Sequence, residues 1–494
     1  MRGPDPTAVD GAAQQDAPED VAALSARGRV HLIGVGGAGM SAIATLLAAR
    51  GLEVSGSDAR AVGLERLGAA GVTVHQGHAP RYVEGAGTVV VSTAIRPTNP
   101  ELSRARELGI AVRHRSQALA ALMADRRAVA VAGAHGKTTT SAMLAVALRA
   151  VGLDPSFAIG GTVLSDDGPL GGAHDGTGEL FVAEADESDG SFLAYRPQIA
   201  LVTNVEPDHL DHYGSRAAFE QAFVDFAARI VPGGRLVACA DDTGSRALAD
   251  RARAAGTSVS TYGTSSDADV RVSAWRPDPV TGGGQTTVRE GDGPPVTLRL
   301  TVPGAHNGLN AAGAWTVARL LGVEGPDAAR GLAAFRGTGR RFEERGRVGG
   351  VRVVDDYAHH PTEVAALLRA ARALAGTGRV LALFQPHLFS RTRTFADAFA
   401  DALALADLAV VTDVYAARED PDPQVTGALI ADRVPGARFV ADRHEAAVEI
   451  ARAARPGDLL LTVGAGDVTD LAPLILATLA TLAEPRNVAP GGTA

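Results

Sequence analysis

Short apolar runs alternate with helical patterns along most of the chain. The apolar runs predict strands near residues 29–33, 53–55, 73–75 and 88–91, then 128–132, 180–183, 199–203 and 235–239, and finally 351–355, 380–384, 408–412 and 459–463. Helical patterns such as residues 39–50 separate them. This βαβ rhythm is typical of parallel sheets covered by helices, so the predicted fold class is α/β.

Residues 270–302 follow another pattern, because short alternating runs are separated there by PDPVTGGG and GDGPP. They predict an antiparallel patch, followed by a helical passage over about 307–335. We expect three α/β domains in series, over residues 28–125, 126–336 and 337–482. The polar segments 1–27 and 483–494 are predicted to be disordered tails.

Composition narrows the class of protein. The 494 residues are 46% hydrophobic and 21% charged, with a net charge of −9. We expect no nucleic-acid partner, since there is no basic run, and no membrane insertion, since no apolar stretch is long enough. The first residues lack the basic and apolar regions of a secretion signal, so a cytoplasmic location is predicted. The single cysteine, Cys239, excludes an intrachain disulfide framework.

The first chemical motif is GVGGAGM at residues 34–40, between a predicted strand and helix. Gly34, Gly36 and Gly39 match G-x-G-x-x-G, and Asp58 follows the next strand. Glycines let the backbone approach a diphosphate at a helix N-terminus. NAD, a nucleotide-sugar diphosphate and a ligand-free glycine turn all remain open on this motif alone.

The second motif is GAHGKTTT at residues 133–140, which follows a predicted buried strand. It retains the G-K-T end of a phosphate-binding loop, so its backbone and Lys137 are expected to hold nucleotide phosphates. Thr138 would offer its hydroxyl to Mg²⁺. Of the 47 lysine and arginine residues, only residue 137 is lysine. A compact ammonium at this position indicates a requirement that arginine does not meet.

Two polar clusters follow predicted strands: EADESDG at 184–190 and NVEPDHLDHY at 204–213. Ligands bind at the carboxyl ends of parallel strands, so both clusters are expected beside the phosphate loop. Glu184 and His209 are the candidate metal ligands, together with Thr138. Imidazole leaves Mn²⁺ as an alternative to Mg²⁺. In isolation, such acidic runs are more often solvated surface.

The third domain carries GTGRRFE, DDYAHHPTEV and FQPHLFSRT. Arg340, Arg341 and Arg391 suit bidentate contact with phosphate or carboxylate. Asp355, His359 and His360 permit a metallohydrolase reading, but no further ligand cluster supports it. Pro361 instead predicts the start of a helix.

Together with GAHNGLNAAGA at 304–314, these strings occur in the order found in the Mur ligases, and the chain resembles that family over nearly its whole length outside the tails. The resemblance implies three domains: an N-terminal Rossmann-like domain for the uridine nucleotide, a central P-loop ATPase-type domain, and a C-terminal Rossmann-like domain. It also implies ATP-dependent amide-bond formation through an acyl phosphate.

The resemblance also implies roles for individual residues. The uridine nucleotide would contact Gly36, Gly37, Ala38, Gly39, Met40, Ser57 and Asp58. ATP would contact Gly133, Ala134, His135, Gly136, Lys137, Thr138, Thr139, Asn307, Arg340 and Asp355. The metal would be held by Thr138, Glu184 and His209. The incoming amino acid would meet Tyr357, His359, His387 and Arg391, and the catalytic set would be Lys137, Glu184, His209 and Arg391.

The strings GxGGxGM and DDY-x-HHP-T-E resemble most closely the member that joins L-alanine to UDP-N-acetylmuramate. Members acting later use a carbamylated lysine, and no lysine besides Lys137 exists here. The sequence departs from the family pattern in two places: Ala134 replaces a usual threonine, and Leu388 with Phe389 replaces a basic–aromatic pair.

The alternatives are a recycling ligase that attaches a preformed peptide, an NAD-dependent oxidoreductase and a non-enzymatic nucleotide switch. As for assembly, we expect a monomer or a weak dimer.

Overall fold

The structure is a computed structural model, and it describes residues 19–61, 63–166, 168–417 and 419–483. Within these ranges the chain forms two compact units. The first contains residues up to 272 together with 288–296 and 310–335. The second contains residues 273–287, 297–309 and those from 336 onward.

The first unit begins with a five-stranded sheet of order β3-β2-β1-β4-β5, in which all neighbours are parallel. Its strands are β1 (Val30–Ile33), β2 (Val54–Asp58), β3 (Thr73–Gln76), β4 (Thr88–Val91) and β5 (Ala111–His114). Its helices are α1 (Val21–Ala26), α2 (Ala38–Ala49), α3 (Leu64–Ala69), α4 (Pro100–Glu107) and α5 (Arg115–Met123), with a 3-10 turn at Pro80–Val83.

The second sheet of this unit has the order β13-β12-β11-β10-β6-β9-β7, with β8 antiparallel to β7. Its strands are β6 (Arg127–Ala132), β7 (Ser156–Ser165), β8 (Gly168–His174), β9 (Leu180–Glu184), β10 (Ile199–Val202), β11 (Arg235–Cys239), β12 (Ser258–Gly263) and β13 (Val270–Val272). Its helices are α6 (Lys137–Ala150), α7 (Leu210–Tyr213), α8 (Arg216–Ala227) and α9 (Thr243–Ala254), with a 3-10 turn at Ser191–Ala194. Strand β6 is paired in parallel with β9 on one side and β10 on the other.

A strand-rich stretch follows, with β14 (Arg276–Pro277), β15 (Gly284–Glu290) and β16 (Val296–Leu300). β15 is antiparallel to β13 and β14, which confirms the predicted antiparallel patch. The helical passage predicted after it contains α10 (Ala305–Leu320) and α11 (Gly325–Leu332), before β17 (Phe335–Thr338). The division between the two units passes through β15, β16 and α10.

The second unit is built on a sheet of order β18-β19-β23-β20-β21-β22, parallel except for β18. Its strands are β18 (Glu343–Val348), β19 (Val351–Asp356), β20 (Val380–Phe384), β21 (Leu408–Val411), β22 (Arg438–Phe439) and β23 (Leu459–Val463). Its helices are α12 (Pro361–Ala375), α13 (Phe389–Thr394), α14 (Ala396–Leu403), α15 (Ala428–Ala431), α16 (Arg443–Ala453) and α17 (Ala472–Ala483), with a 3-10 turn at Asp467–Leu471. Helix α12 begins at Pro361, as predicted.

These sheets confirm the α/β class, and the ends of the predicted strands lie within three residues of the observed ends, the largest difference being at the end of β2. One tail prediction is wrong in part: the tail predicted over 1–27 includes α1, which Asp20 caps and whose Leu24 is buried. Residues 1–18 and 484–494 lie outside the described residues. The three domain boundaries stay predictions. In the described part of the chain, no helix combines the length and apolarity needed to cross a bilayer.

Close packing fixes the first glycine loop against strand β2. A Cβ added at Gly56 would lie 2.7 Å from Cβ of Val35, and under 3.0 Å from both of its methyl groups. Val35 is fully buried and has no room to yield. Gly56 therefore sets how closely the loop after β1 approaches the neighbouring strand.

We predict that Gly56→Ala lowers the free energy of unfolding by about 1–3 kcal/mol, because the added methyl overfills this contact. Hydrogen exchange of amides in residues 30–58 should accelerate accordingly. The control is Gly68→Ala in α3, where an added Cβ meets nothing within 4 Å. Alanine favours a helix, so this variant should be neutral or stabilising. Equal exchange rates in the two variants would contradict the packing argument.

Candidate active site

The first glycine loop joins β1 to α2 and places the N-terminal end of α2 beside Asp58. Gly34 has φ +80°, a conformation that favours glycine, and Gly37 is the N-cap of α2. Asp58 Oδ2 accepts a hydrogen bond from Gly36 N at 3.0 Å, and Oδ1 accepts one from Arg60 N at 3.0 Å. The carboxylate thus holds the loop, and the first amides of α2 can receive a diphosphate.

The residues predicted to contact the uridine nucleotide differ in exposure. Ala38 is exposed, whereas Gly36, Gly37 and Gly39 are partly buried. Met40 packs in the core and Ser57 is fully buried, so neither side chain is presented to a ligand. The nucleotide contacts of this group stay predictions, and any contact from Met40 or Ser57 would have to come from the backbone.

A buried polar network under this loop was not predicted from the sequence. Glu101, fully buried at the start of α4, accepts hydrogen bonds from Ser57 Oγ at 2.6 Å and Ala79 N at 3.0 Å. Its carboxylate also lies 2.9 Å from His31 Nε2 and 3.2 Å from His78 Nδ1. Burial would raise the pKa of Glu101, but the bonds from His31 and Ser57 lower it below its ordinary value.

The phosphate loop between β6 and α6 is held by the segment that follows β10. Thr203 Oγ1 donates to the carbonyl of His135 at 2.6 Å. Asn204 accepts from His135 N at 3.0 Å and donates to its carbonyl at 2.9 Å. Gly133 has φ +132°, and an added Cβ would lie 2.2 Å from Thr203 Oγ1, so only glycine fits there. Gly136, the N-cap of α6, has φ +85°.

Lys137 lies at the first position of α6, and its contact with nucleotide phosphates stays a prediction. Its Nζ donates to the carbonyls of Gly133 at 2.7 Å and Ala134 at 3.2 Å, and lies 2.8 Å from Glu187 Oε2. Burial would lower the pKa of Lys137, but Glu187 and Asp186 raise it, so the ammonium is retained. Burial raises the pKa of Glu187 to about 7, although the charge of Lys137 opposes this. Three acceptor oxygens converge on one small pocket, which suits a compact ammonium better than a guanidinium.

Two of the three predicted metal ligands are adjacent. Thr138 Oγ1 donates to Glu184 Oε1 at 2.8 Å, and Glu184 Oε2 accepts from Gly160 N at 2.7 Å. Glu184 ends β9, next to β6, as the strand-end argument predicted. Hydroxyl and carboxylate oxygens are the donors that Mg²⁺ prefers, so this pair fits the metal that the family implies.

His209 approaches the same loop through Glu187. Its Nε2 lies 3.7 Å from Glu187 Oε1 and 3.5 Å from Asp208 Oδ2. Its φ of +53° is left-handed, a strained conformation that functional sites often retain. Glu187 therefore lies between Lys137 and His209. The role of His209 as a metal ligand stays a prediction.

One further residue of this site was missed by sequence reasoning. A Cβ added at Gly136 would lie 2.7 Å from Asn310 Oδ1, which places the Asn310 amide against the phosphate loop. Asn310 lies three residues after Asn307 on α10, and this N-x-x-N spacing was the available signal. Thr139, also predicted to contact ATP, is buried in the first turn of α6.

In the second unit, Arg340 and Asp355 interact with each other and with their surroundings. Arg340 Nη2 donates to the carbonyl of Gly464 at 2.8 Å, and its Nε lies 3.4 Å from Asp355 Oδ2. Asp355 is fully buried and accepts from Thr462 Oγ1 at 2.6 Å and Thr469 Oγ1 at 2.8 Å. Its role toward a ribose stays a prediction.

The residues assigned to the amino acid lie together in the second unit. The ring of Tyr357 is 5.3 Å from that of His359, which is 5.8 Å from that of His387. Arg391 Nη1 lies 3.4 Å from His387 Nδ1, and Arg391 is 6% exposed. Tyr415 stacks on His387 at 5.8 Å and was not predicted. Their contact with an amino acid stays a prediction, although their proximity is observed.

Asn307 and the metallohydrolase hypothesis also concern residues of this unit. Asn307 is buried and donates to the carbonyl of Pro303 at 2.7 Å, and its contact with ATP stays a prediction. The metallohydrolase reading gains no support, because the described residues Asp355, His359 and His360 do not bring three ligand atoms within 4.8 Å of one another.

Three family models cover most of the chain. They are "Mur ligase family, catalytic domain" at residues 29–127, "Mur ligase middle domain" at 131–318, and "Mur ligase, glutamate ligase domain" at 340–466. The chain belongs to the Mur ligase family. The three-domain Mur ligase fold expected from the motifs is thereby confirmed.

Individual Mur ligases agree with this assignment. The chain is 59% identical over 488 residues to UDP-N-acetylmuramate–L-alanine ligase of Kineococcus radiotolerans, covering 97% of this chain and 100% of that protein. Its structure is similar to that of UDP-N-acetylmuramate-alanine ligase of Thermotoga maritima, with TM-score 0.76, 28% identity, and coverage of 92% and 99%. A murein peptide ligase of Psychrobacter arcticus gives TM-score 0.69, 26% identity, and coverage of 92% and 98%.

We predict that Glu101→Gln destabilises the first sheet by about 1–3 kcal/mol, because an amide cannot accept all the hydrogen bonds made to the carboxylate. Urea unfolding at pH 7 would measure the loss. Since the folded-state pKa of Glu101 is lowered, its contribution is present above pH 4.5 and is lost on acidification below that value. The difference between wild type and variant should shrink there.

The matched control is Glu107→Gln in the same helix. Glu107 is 65% exposed and pairs only at the surface with Arg104. Its replacement should change the free energy of unfolding by less than about 0.5 kcal/mol. A Glu101→Gln variant as stable as this control would show that the network contributes nothing.

Proposed function

We propose that this Mur ligase joins L-alanine to UDP-N-acetylmuramate and converts ATP to ADP and phosphate in the same reaction, in peptidoglycan precursor synthesis. The observation that carries the proposal is the 59% identity to a UDP-N-acetylmuramate–L-alanine ligase over 97% of the chain. A nucleotide-sugar substrate and ATP are made and used inside cells, so the cytoplasm is the expected location. A monomer or weak dimer is the expected assembly.

In the first step, an oxygen of the lactyl carboxylate attacks the γ-phosphorus of ATP, giving an acyl phosphate and ADP. The proposed role of Lys137 is to bind phosphate oxygens with the Nζ that otherwise contacts Glu187 and the loop carbonyls. The amides at the start of α6 would bind the same phosphates. Charge spread over the transferring group is stabilised by such fixed donors.

Thr138 and Glu184, with His209, are the residues that would hold Mg²⁺ (or Mn²⁺), which would neutralise phosphate charge when bound. Thr138 Oγ1 and Glu184 Oε1 already lie 2.8 Å apart, so these two side chains need little rearrangement to bind the metal. Thr203 and Asn204 keep the loop backbone in place through His135. The proposed catalytic surroundings are therefore preorganised.

In the second step, the uncharged amine of alanine attacks the acyl carbon and forms a tetrahedral intermediate, which expels phosphate and loses a proton from the nitrogen to leave the amide. Arg391 is assigned to the carboxylate of the amino acid, next to His387, His359 and Tyr357. Arginine suits this role because its planar fork matches a carboxylate. Arg340 is assigned to the nucleotide phosphates.

The test is phosphate release from ATP and Mg²⁺ with UDP-N-acetylmuramate, with and without L-alanine. Release that requires both substrates, with UDP-N-acetylmuramoyl-L-alanine found by mass spectrometry, is the expected result. The similarity to a murein peptide ligase supports a second candidate, attachment of a preformed peptide. Release with L-alanyl-γ-D-glutamyl-meso-diaminopimelate but not with alanine would favour that candidate.

We predict that Lys137→Arg lowers kcat by about 10²-fold or more, because a guanidinium keeps the charge but misplaces its contacts to phosphate. The matched control is the reverse exchange Arg149→Lys, in the last turn of the same helix, where the side chain is a third exposed. It should keep nearly normal turnover. Wild-type rates in Lys137→Arg would refute the argument from the single lysine.

A further inference from the structure

Arg115 begins α5 and reaches the acidic loop after β9. Its Nη2 donates to Asp186 Oδ2 at 2.7 Å and lies 3.6 Å from Asp189 Oδ2. The preceding residue, His114, is the N-cap of α5 and forms a capping box with Gln117. The start of this helix is therefore rigid, and it fixes the root of the arginine side chain.

The other end of the guanidinium faces the glycine loop. A Cβ added at Gly39 would lie 3.3 Å from Arg115 Nη1, so this nitrogen packs against the first turn of α2. Gly39 belongs to the motif assigned to the uridine nucleotide. One planar group thus touches the loop for the sugar nucleotide and the loop beside the phosphate site, both within the first unit.

Two neighbours strengthen the same connection. Thr93, just after β4, donates to Asp189 Oδ2 at 3.1 Å, and His114 Nε2 lies 3.8 Å from the same oxygen. On the far side, Asp186 adjoins Glu187, which holds Lys137. A short path of direct contacts therefore runs from Gly39 through Arg115 and the acidic loop to Lys137.

We propose that Arg115 is a positioning residue, which fixes the glycine loop relative to the phosphate loop so that the carboxylate of the sugar nucleotide lies in line with the γ-phosphate. This inference rests on the proposed function, since two substrates must meet between the two loops. Reaction rate depends steeply on such alignment, whereas the affinity for each substrate alone depends on its own loop. If the ion pair only stabilised the fold, its removal would not lower the reaction rate while leaving the substrate affinities unchanged.

We predict that Arg115→Ala lowers kcat by about 10²-fold, while the separately measured Kd values for UDP-N-acetylmuramate and for a non-hydrolysable ATP analogue change less than about threefold. Arg115→Lys should recover only part of the rate, because one ammonium cannot reach both loops. The matched control is Arg113→Ala, two residues earlier on β5, which removes the same charge. Arg113 contacts Glu19 at 3.1 Å and does not contact the acidic loop, so this variant should retain the wild-type kcat.

The outcomes separate the two proposals. A wild-type protein that releases no phosphate with UDP-N-acetylmuramate and either amine defeats the proposed function itself. An active wild type with Arg115→Ala as fast as Arg113→Ala refutes the positioning role. So does a slow Arg115→Ala variant whose loss appears in Kd or in a lowered melting temperature. If Arg115→Ala does not fold, Arg115→Lys is measured in its place, and an unaltered kcat there would equally overturn the inference.

Discussion

Strand β6 runs in the same direction as both of its neighbours, β9 and β10, and this parallel pairing is the constraint on which the candidate site depends. Because all three strands end at one edge, the loops after them meet there. The phosphate loop follows β6, the acidic loop follows β9, and the segment with Thr203 and Asn204 follows β10. Both neighbouring segments hold the phosphate loop: Thr203 and Asn204 bond to His135, and Glu187 pairs with Lys137. The chemistry is thus assembled by strand order rather than by nearness in sequence.

Strand-end reasoning explains why much of this site was predictable. Positions after apolar runs predicted that Lys137, Thr138, Glu184 and His209 lie near one another. In the structure, Thr138 donates a hydrogen bond to Glu184, and Lys137 is the residue before Thr138. Tyr357, His359, His387 and Arg391 were grouped by the family resemblance, and they lie close together in the second unit, while their contact with an amino acid stays a prediction. The glycine motif was ambiguous, because glycine spacing encodes only how closely a backbone can approach a diphosphate. Family membership, and not that motif, excludes the oxidoreductase reading.

What sequence reasoning missed depends on tertiary burial. Glu101 belongs to PELSRARE, which has the charge pattern of a solvated helix, yet it is fully buried among His31, Ser57 and Ala79. Nothing local distinguishes it from the exposed Glu107. Asn310 lies against the phosphate loop although only Asn307 of its motif was assigned a role, and Tyr415 stacks on His387 from a segment that carries no chemical motif of its own. Helix α1 was overlooked because six residues give too few turns for a periodic pattern. Strands β7 and β8 were overlooked for a different reason, because their several glycines interrupt the alternation of apolar and polar residues.

The single lysine has a consequence for chemical labelling. The chain's only side-chain amine lies inside the phosphate loop, 14% exposed and paired with Glu187, and its raised pKa keeps it protonated and weakly nucleophilic. Acylating reagents therefore have one other amine to react with, the α-amino group. The remaining members of the lysine and arginine set are arginines, whose guanidinium groups these reagents do not acylate readily. Coupling through amines would tether every molecule by the same end. Slow acylation of Lys137 would then report whether the nucleotide pocket is filled, without any engineered probe.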